Sequence, residues 1–118
     1  MTTSFKRSDR VADSIVKEVS QMIVKGEIKD PRLSSVFITG IKVVDNLSIA
    51  EIFFTVRENT GDKDEALKGL QSAKGFIKGR LAKRLKMRRI PELKFSFDSA
   101  LEQGYKVDEL LRGISSER

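Results

Sequence analysis

The chain has no cysteine, no histidine and no tryptophan. Without cysteine there are no disulfides and no thiolate metal sites, which fits a reducing compartment. Without histidine the commonest general base, the Ser-His and Cys-His nucleophile pairs and the usual zinc ligand are all missing. Proline occurs twice, and aromatic residues make up 7% with no tryptophan among them, so a mainly aliphatic core is expected. Residues 1–10 hold no apolar signal core. No apolar run approaches the roughly 20 residues that a bilayer-spanning helix needs. The expectation is a cytoplasmic protein that is not an enzyme, carries no cofactor or metal and has no membrane contact.

What is present is charge, unevenly placed. The 118 residues carry a net charge of +6. Residues 1–73 hold eleven basic and eleven acidic side chains, and residues 92–118 hold four basic and six acidic ones. Residues 74–91 hold eight basic side chains and no acidic one: Lys74, Lys78, Arg80, Lys83, Arg84, Lys86, Arg88 and Arg89. The whole excess sits in that segment, and a field concentrated in this way suits a polyanion. The length is that of one domain, with a core over about residues 5–100 and a short C-terminal extension over 101–118.

Apolar spacing sets out the elements. Val11, Ile15, Val19, Met22 and Ile23 predict a helix over 8–25, with Ser8 as its cap and Gly26 as its stop. Residues 28–33 read as a loop, since Asp30-Pro31 forbids helix there. Residues 36–44 and 49–57 read as two strands of an antiparallel hairpin, turned at Asp45-Asn46, with a bulge or close approach at Gly40. Ala50, Ile52, Phe54 and Val56 form the inner face of the second strand. Asp62 starts a helix, with Glu65 in capping-box position. Gly75 breaks that helix into two, for a kink or a close helix contact. Ile77, Leu81 and Leu85 form the apolar stripe of the second half. Pro91 ends the helical region. Leu93, Phe95 and Phe97 alternate with Lys94, Ser96 and Asp98 in a third strand. Val107, Leu110 and Leu111 predict a short final helix. The fold class is α+β, with the order α-β-β-α-α-β and helices covering one face of a three-stranded sheet.

That is also the order of the type II KH fold. Several local sequences resemble the ribosome-binding factor A family, from Phe5-Lys6-Arg7 through Arg10-Val11-Ala12 and on to Ile28-Lys29-Asp30-Pro31-Arg32-Leu33. Ala73-Lys74-Gly75-Phe76-Ile77 and Arg89-Ile90-Pro91-Glu92-Leu93-Lys94-Phe95 continue the likeness, which covers about Phe5 to Leu111. No two of the eight glycines are spaced as G-x-x-G, the loop with which ordinary KH domains clamp a nucleic-acid backbone. Ala73-Lys74-Gly75 matches the Ala-x-Gly kink of this family instead. The resemblance implies an RNA-binding factor whose partners are the 16S rRNA precursor and the free 30S subunit; the expected state of the chain is a monomer. It implies a role in 16S rRNA processing and late 30S maturation, including at low temperature. A general RNA- or DNA-binding module is the alternative.

The candidate RNA-binding residues are Arg7, Arg10, Lys29 and Arg32 together with the eight cations of residues 74–91. The helix kink is Ala73, Lys74 and Gly75. A solvated amphipathic helix usually mixes signs; a run of eight cations without an acid favours phosphate contact. On a helical wheel Lys83 and Lys86 point away from the apolar stripe, Arg80 points sideways, and Lys78 and Arg84 flank it. Arg7 and Arg10 lie near a helix N-terminus, where the dipole disfavours cations and a phosphate would offset the cost. Lys29-Asp30-Pro31-Arg32 reads first as a turn with Asp30 bonding local amides. Asp62, Asp64 and Glu65 read as helix-start residues in preference to a magnesium site. Phe37, Phe53, Phe54, Phe95 and Phe97 fall on strands; Phe95 and Phe97 share a face with Leu93, which points to core packing over base stacking.

Overall fold

The computed structural model describes residues 7–44, 46–57 and 62–98, with side chains from Asp9 onward. Helix α1 (Arg7–Val24) buries Ile15, Val19 and Met22 completely and packs Val11 and Ile23 at their edges. Ser8 already lies within the helix, so it is not the cap that the sequence predicts. Its end follows the prediction. Gly26 takes φ +69, its N–H donates to the Ile23 carbonyl at 3.1 Å, and the Glu27 N–H donates to that of Met22 at 2.9 Å. This closure satisfies the last carbonyls and needs a left-handed residue, which glycine supplies without strain.

The loop after α1 tightens into a 3-10 turn over Pro31–Leu33. Asp30 caps it, accepting the Arg32 N–H at 2.9 Å. Strands β1 (Val36–Val43) and β2 (Ile49–Val56) pair antiparallel. Ile38 lies opposite Phe54 and Gly40 opposite Phe53, so Thr39 is the extra residue of the expected bulge. Strand β3 (Glu92–Phe97) joins β2 in parallel, giving the order β1-β2-β3. A parallel neighbour requires a long crossover, which helices α2 (Lys63–Ser72) and α3 (Lys74–Leu85) provide.

The core lies between the helices and one sheet face. Ala50, Ile52 and Phe54 of β2, Leu93 and Phe95 of β3, and Val36 of β1 meet Ala66, Leu70, Ile77 and Leu81 of the crossover and the buried side of α1. Each large aliphatic or aromatic side chain taken fully from water contributes about 1.5–3 kcal/mol. Phe97 stands edge-on to Phe54, ring centres 5.8 Å apart. Phe37 lies on the opposite, uncovered face, 45% exposed, with the Arg57 guanidinium 5.2 Å from its ring centre. The predicted helix near Val107, Leu110 and Leu111 falls outside the described residues, as do Phe5 and Lys6. Among the described residues no helix is long and apolar enough to cross a membrane.

Candidate nucleic-acid interface

Two helix junctions position the basic segment. Asp62 caps α2, accepting the N–H groups of Asp64 at 2.8 Å and Glu65 at 3.2 Å. Glu65 turns its carboxylate to Lys68 at 3.3 Å, so the reciprocal half of a capping box is not what that side chain does. Among the described residues no group of three or more acidic side chains could hold a metal ion. At the kink, Ala73 sits at φ −87, ψ −1 between the two helices. Its N–H is shared by the carbonyls of Gly69 and Leu70, and its own carbonyl accepts the Ile77 N–H at 2.9 Å.

The close contact expected at Gly75 belongs to another glycine. A Cβ on Gly75 would meet nothing within 4 Å. A Cβ on Gly69 would lie 3.0 Å from Leu33 Cδ2 and 3.3 Å from both Arg32 Cβ and Asp30 Oδ2. Gly69 is therefore where α2 presses on the 3-10 turn, and Gly75 is left at the exposed bend.

Ile77 and Leu81 are fully buried and Leu85 is packed at the core edge, so the stripe anchors α3 as expected. The helix ends at Lys86, which takes the left-handed conformation, φ +53 and ψ +36. Lys83 and Arg84 fall in the last turn, where the helix dipole favours cations.

Tertiary contacts sort the eight cations in a way their order does not. Lys78 lies 3.2 Å and Lys74 3.9 Å from the Glu92 carboxylate of β3. Arg84 donates to Glu27 and reaches Glu18 at 3.4 Å, in a partly buried clasp between α3 and α1. The bond from Glu27 is the chief reason the Arg84 pKa is raised. Arg80 lies over the Phe76 ring, 4.9 Å from its centre. Lys83, Lys86, Arg88 and Arg89 are exposed and have no ion pair among the described residues.

The remaining candidates divide between the two ends of α3. Lys29 lines a shallow cavity of about 310 Å³ with Ala73 and Phe76 at the kink. Arg32 grips Asp30 through two nitrogens, Nε at 3.0 Å and Nη2 at 2.8 Å, and these bonds hold the Asp30 carboxyl below its ordinary range. At the other end, Arg10 lines a cavity of about 260 Å³ with Val11, Ser14, Leu85 and Met87. Beside it, Lys86, Met87, Arg88 and Arg89 form a cavity of about 350 Å³ with Asn46 and Leu47 of the β1–β2 turn. Arg7 lies on α1, and its side chain is outside the described residues. The sequence marked Asn46 only as turn chemistry and passed over Leu47 and Met87 as neighbours of the cations. The acids were equally invisible as partners: Glu18 and Glu27 lie 66 and 57 positions from Arg84, and Glu92 of β3 meets Lys78 only through the tertiary fold.

The element order, the three-stranded sheet with one covered face and the Ala73-Lys74-Gly75 kink in place of a G-x-x-G loop define a type II KH-like domain. The sequence profile of ribosome-binding factor A matches residues 7–111, and the chain belongs to that family. Ribosome-binding factor A of Geobacter metallireducens is 45% identical over 113 residues, covering 96% of this chain and 95% of that protein. The Geotalea uraniireducens protein of the same name is 41% identical, covering 95% and 91%. Among solved structures, the crystal structure of ribosome-binding factor A from Thermus thermophilus matches with a TM-score of 0.68 at 21% identity, over 76% of this chain and 93% of that one. A homology model of the Thermus thermophilus protein, fitted into a cryo-electron microscopy map of a 30S complex with that factor, matches with a TM-score of 0.56 at 22% identity, over 73% and 93%. At these identities the structural likeness concerns the fold.

Proposed function

We propose that this chain is an RNA-binding assembly factor of the small ribosomal subunit. It binds the 16S rRNA precursor within the free 30S particle and assists rRNA processing and late maturation, including at low temperature. It acts in the cytoplasm as a monomer and as one domain over residues 1–118, by binding and not by catalysis. The observation that carries this reading is the cluster of Lys83, Lys86, Arg88 and Arg89, four exposed cations that the fold leaves without an acid among the described residues. Family membership and the Thermus thermophilus relative fitted into a 30S complex support the choice of partner.

On this reading the cations contact phosphates, which position the protein, while shape selects the target. Four to six such contacts give a log–log salt slope of about −3 to −4. Arg10 adds to the cluster from α1, and Lys29, Lys74, Lys78 and Arg80 form a second contact zone at the kink. Arg32 and Arg84 serve mainly to hold these elements in place.

Sedimentation of cell extract through a ribosome gradient tests the partner. The chain is expected with free and precursor small subunits and not with full ribosomes. A uniform spread overturns the assignment. Competition between duplex DNA and structured 16S rRNA fragments separates it from a general nucleic-acid module, which would bind both alike.

A further inference from the structure

The cavity between the β1–β2 turn and the residues that follow α3 has chemistry that the phosphate contacts alone do not use. Its lining residues are Asn46, Leu47, Lys86, Met87, Arg88 and Arg89, around about 350 Å³. That volume falls in the range of small-molecule sites. Three features coincide there. First, among the described residues its charged side chains are all donors, and none of them has an ion pair there. Second, Leu47 and Met87 are half-buried and offer apolar surface beside the cations. Third, Leu47 at φ +61 and Lys86 at φ +53 are the two described residues other than glycine in the left-handed region, one on each wall. Backbone of that kind costs about 1–3 kcal/mol per residue and persists where surrounding structure holds it.

Asn46 adds a directional group. Its Oδ1 accepts the Ser48 N–H at 3.0 Å. An N–H can be bonded only by the oxygen of the amide, so that contact fixes the side chain's orientation. What Asn46 has left to give is its NH2, again a donor. Asparagine needs both ends free to read adenine by a paired bond, so here it can meet only an acceptor.

We propose that this cavity seats one unpaired nucleotide of the RNA, and that the base is a keto base, uracil or guanine. This rests on the RNA-binding reading above and deepens it. The nucleotide's phosphate lies on Lys86, Arg88 and Arg89. The face of its base lies on Leu47 and Met87. The Asn46 NH2 donates to O4 of uracil or O6 of guanine, the position at which cytosine or adenine carries an amino group that would meet it as a second donor. Sequence-selective recognition of RNA generally uses unstacked bases of this sort, since the deep, narrow major groove of an RNA duplex is closed to side chains. The helix then supplies charge, and the cavity supplies the choice of base.

Three RNA hairpins test this: one with an uninterrupted stem, one with a single unpaired uridine in the stem, and one with a single unpaired adenosine there. Fluorescence anisotropy with the full chain reads their affinities at one salt concentration. The uridine hairpin is expected to bind about tenfold tighter than either of the others, the order that one satisfied or mismatched hydrogen bond can decide. Asn46→Asp keeps the oxygen on the Ser48 amide and turns the donor into an acceptor; it is expected to erase the preference for uridine over adenosine. A readout on the unmodified chain guards against a variant that fails to fold. The Met87 methyl resonance is expected to move with the uridine hairpin and not with the uninterrupted stem, while that of the fully buried Met22 stays in place. Equal, salt-sensitive binding of all three hairpins with no selective Met87 shift overturns the cavity's role and leaves the RNA-binding reading intact. No binding to any of them overturns both.

Discussion

The Arg84 guanidinium donates to the Glu27 carboxylate across 57 positions of sequence. Glu27 follows the end of α1, and Glu18 on α1 takes a second nitrogen. A cation from the middle of the basic run thus fastens α3 to α1. Arg84→Ala is expected to lower the thermal midpoint and leave the salt slope of RNA binding unchanged. Lys83→Ala, one position away and exposed, is expected to do the reverse. Its stability should stay within about 0.5 kcal/mol, and its slope should shallow by about 0.7–0.9. Thermal denaturation and salt-titrated anisotropy read the two effects separately; a shallower slope for Arg84→Ala would return Arg84 to the interface.

Two glycines of the crossover, Gly69 and Gly75, should respond with opposite signs. Gly69→Ala drives a methyl against Leu33 and the Asp30–Arg32 turn, with the nearest atom at 3.0 Å. Overpacking of this kind costs about 1–3 kcal/mol. Gly75→Ala places its methyl in open space. There the gain in helix propensity, up to about 1 kcal/mol, is expected to raise stability. Urea denaturation of both variants checks the pair of signs.

Lys86→Gly separates stability from binding at a single residue. Glycine accepts the left-handed helix end without the cost of about 1 kcal/mol that a side chain carries there. The variant should unfold at a higher urea concentration and yet bind RNA with a slope shallower by about 0.7–0.9. A stability gain with undiminished binding would remove Lys86 from the interface.

Glu92 restrains two cations of the proposed interface. It is 60% exposed, and exposed pairs of this sort add little stability, about 0–1 kcal/mol. Glu92→Gln should therefore leave the fold in place and free Lys74 and Lys78 for phosphate. Tighter RNA binding and a steeper salt slope are expected in anisotropy titrations; unchanged binding would exclude the kink end from the contact zone.

The Asp30–Arg32 turn sets a pH dependence. The side-chain bonds from Arg32, followed by its backbone amide, lower the Asp30 pKa in the folded chain. A carboxylate with a depressed folded pKa stabilises the fold fully above its unfolded value. That support is lost as the pH falls through the folded value. The stability difference between the native chain and Asp30→Asn should be constant near neutrality and vanish in acid below the ordinary aspartate range. Urea midpoints measured across pH follow it.

Much of the fold was legible because its signals are local. The spacing of Ile15, Val19 and Met22 marks α1, the alternation of Ala50, Ile52 and Phe54 marks β2, and Gly40 marks the bulge at its neighbour Thr39. Ser8 is not a cap, because α1 extends further toward the N-terminus than apolar periodicity requires. The charge of the candidate site was equally legible, since it is a property of composition. Its availability was not. Whether Arg84 faces a phosphate or Glu18 depends on a contact 66 positions away. The close approach at Gly69 likewise depends on a turn that precedes it by two strands.

The parallel pairing of β3 with β2 also bears on when the binding surface comes into being. Val43 pairs with Ala50 seven positions on, whereas Ile49 pairs with Glu92 forty-three positions on. Pairings between distant positions carry a larger loop-closure cost and form slowly. The hairpin can close early, but β3 reaches its place only after both crossover helices have formed. Arg88 and Arg89 lead directly into β3, and they meet Asn46 and Leu47 only once that strand has docked. If the cavity takes part in binding as proposed, that share of the affinity is a late product of folding, withheld from chains that have made the hairpin and not yet completed the sheet.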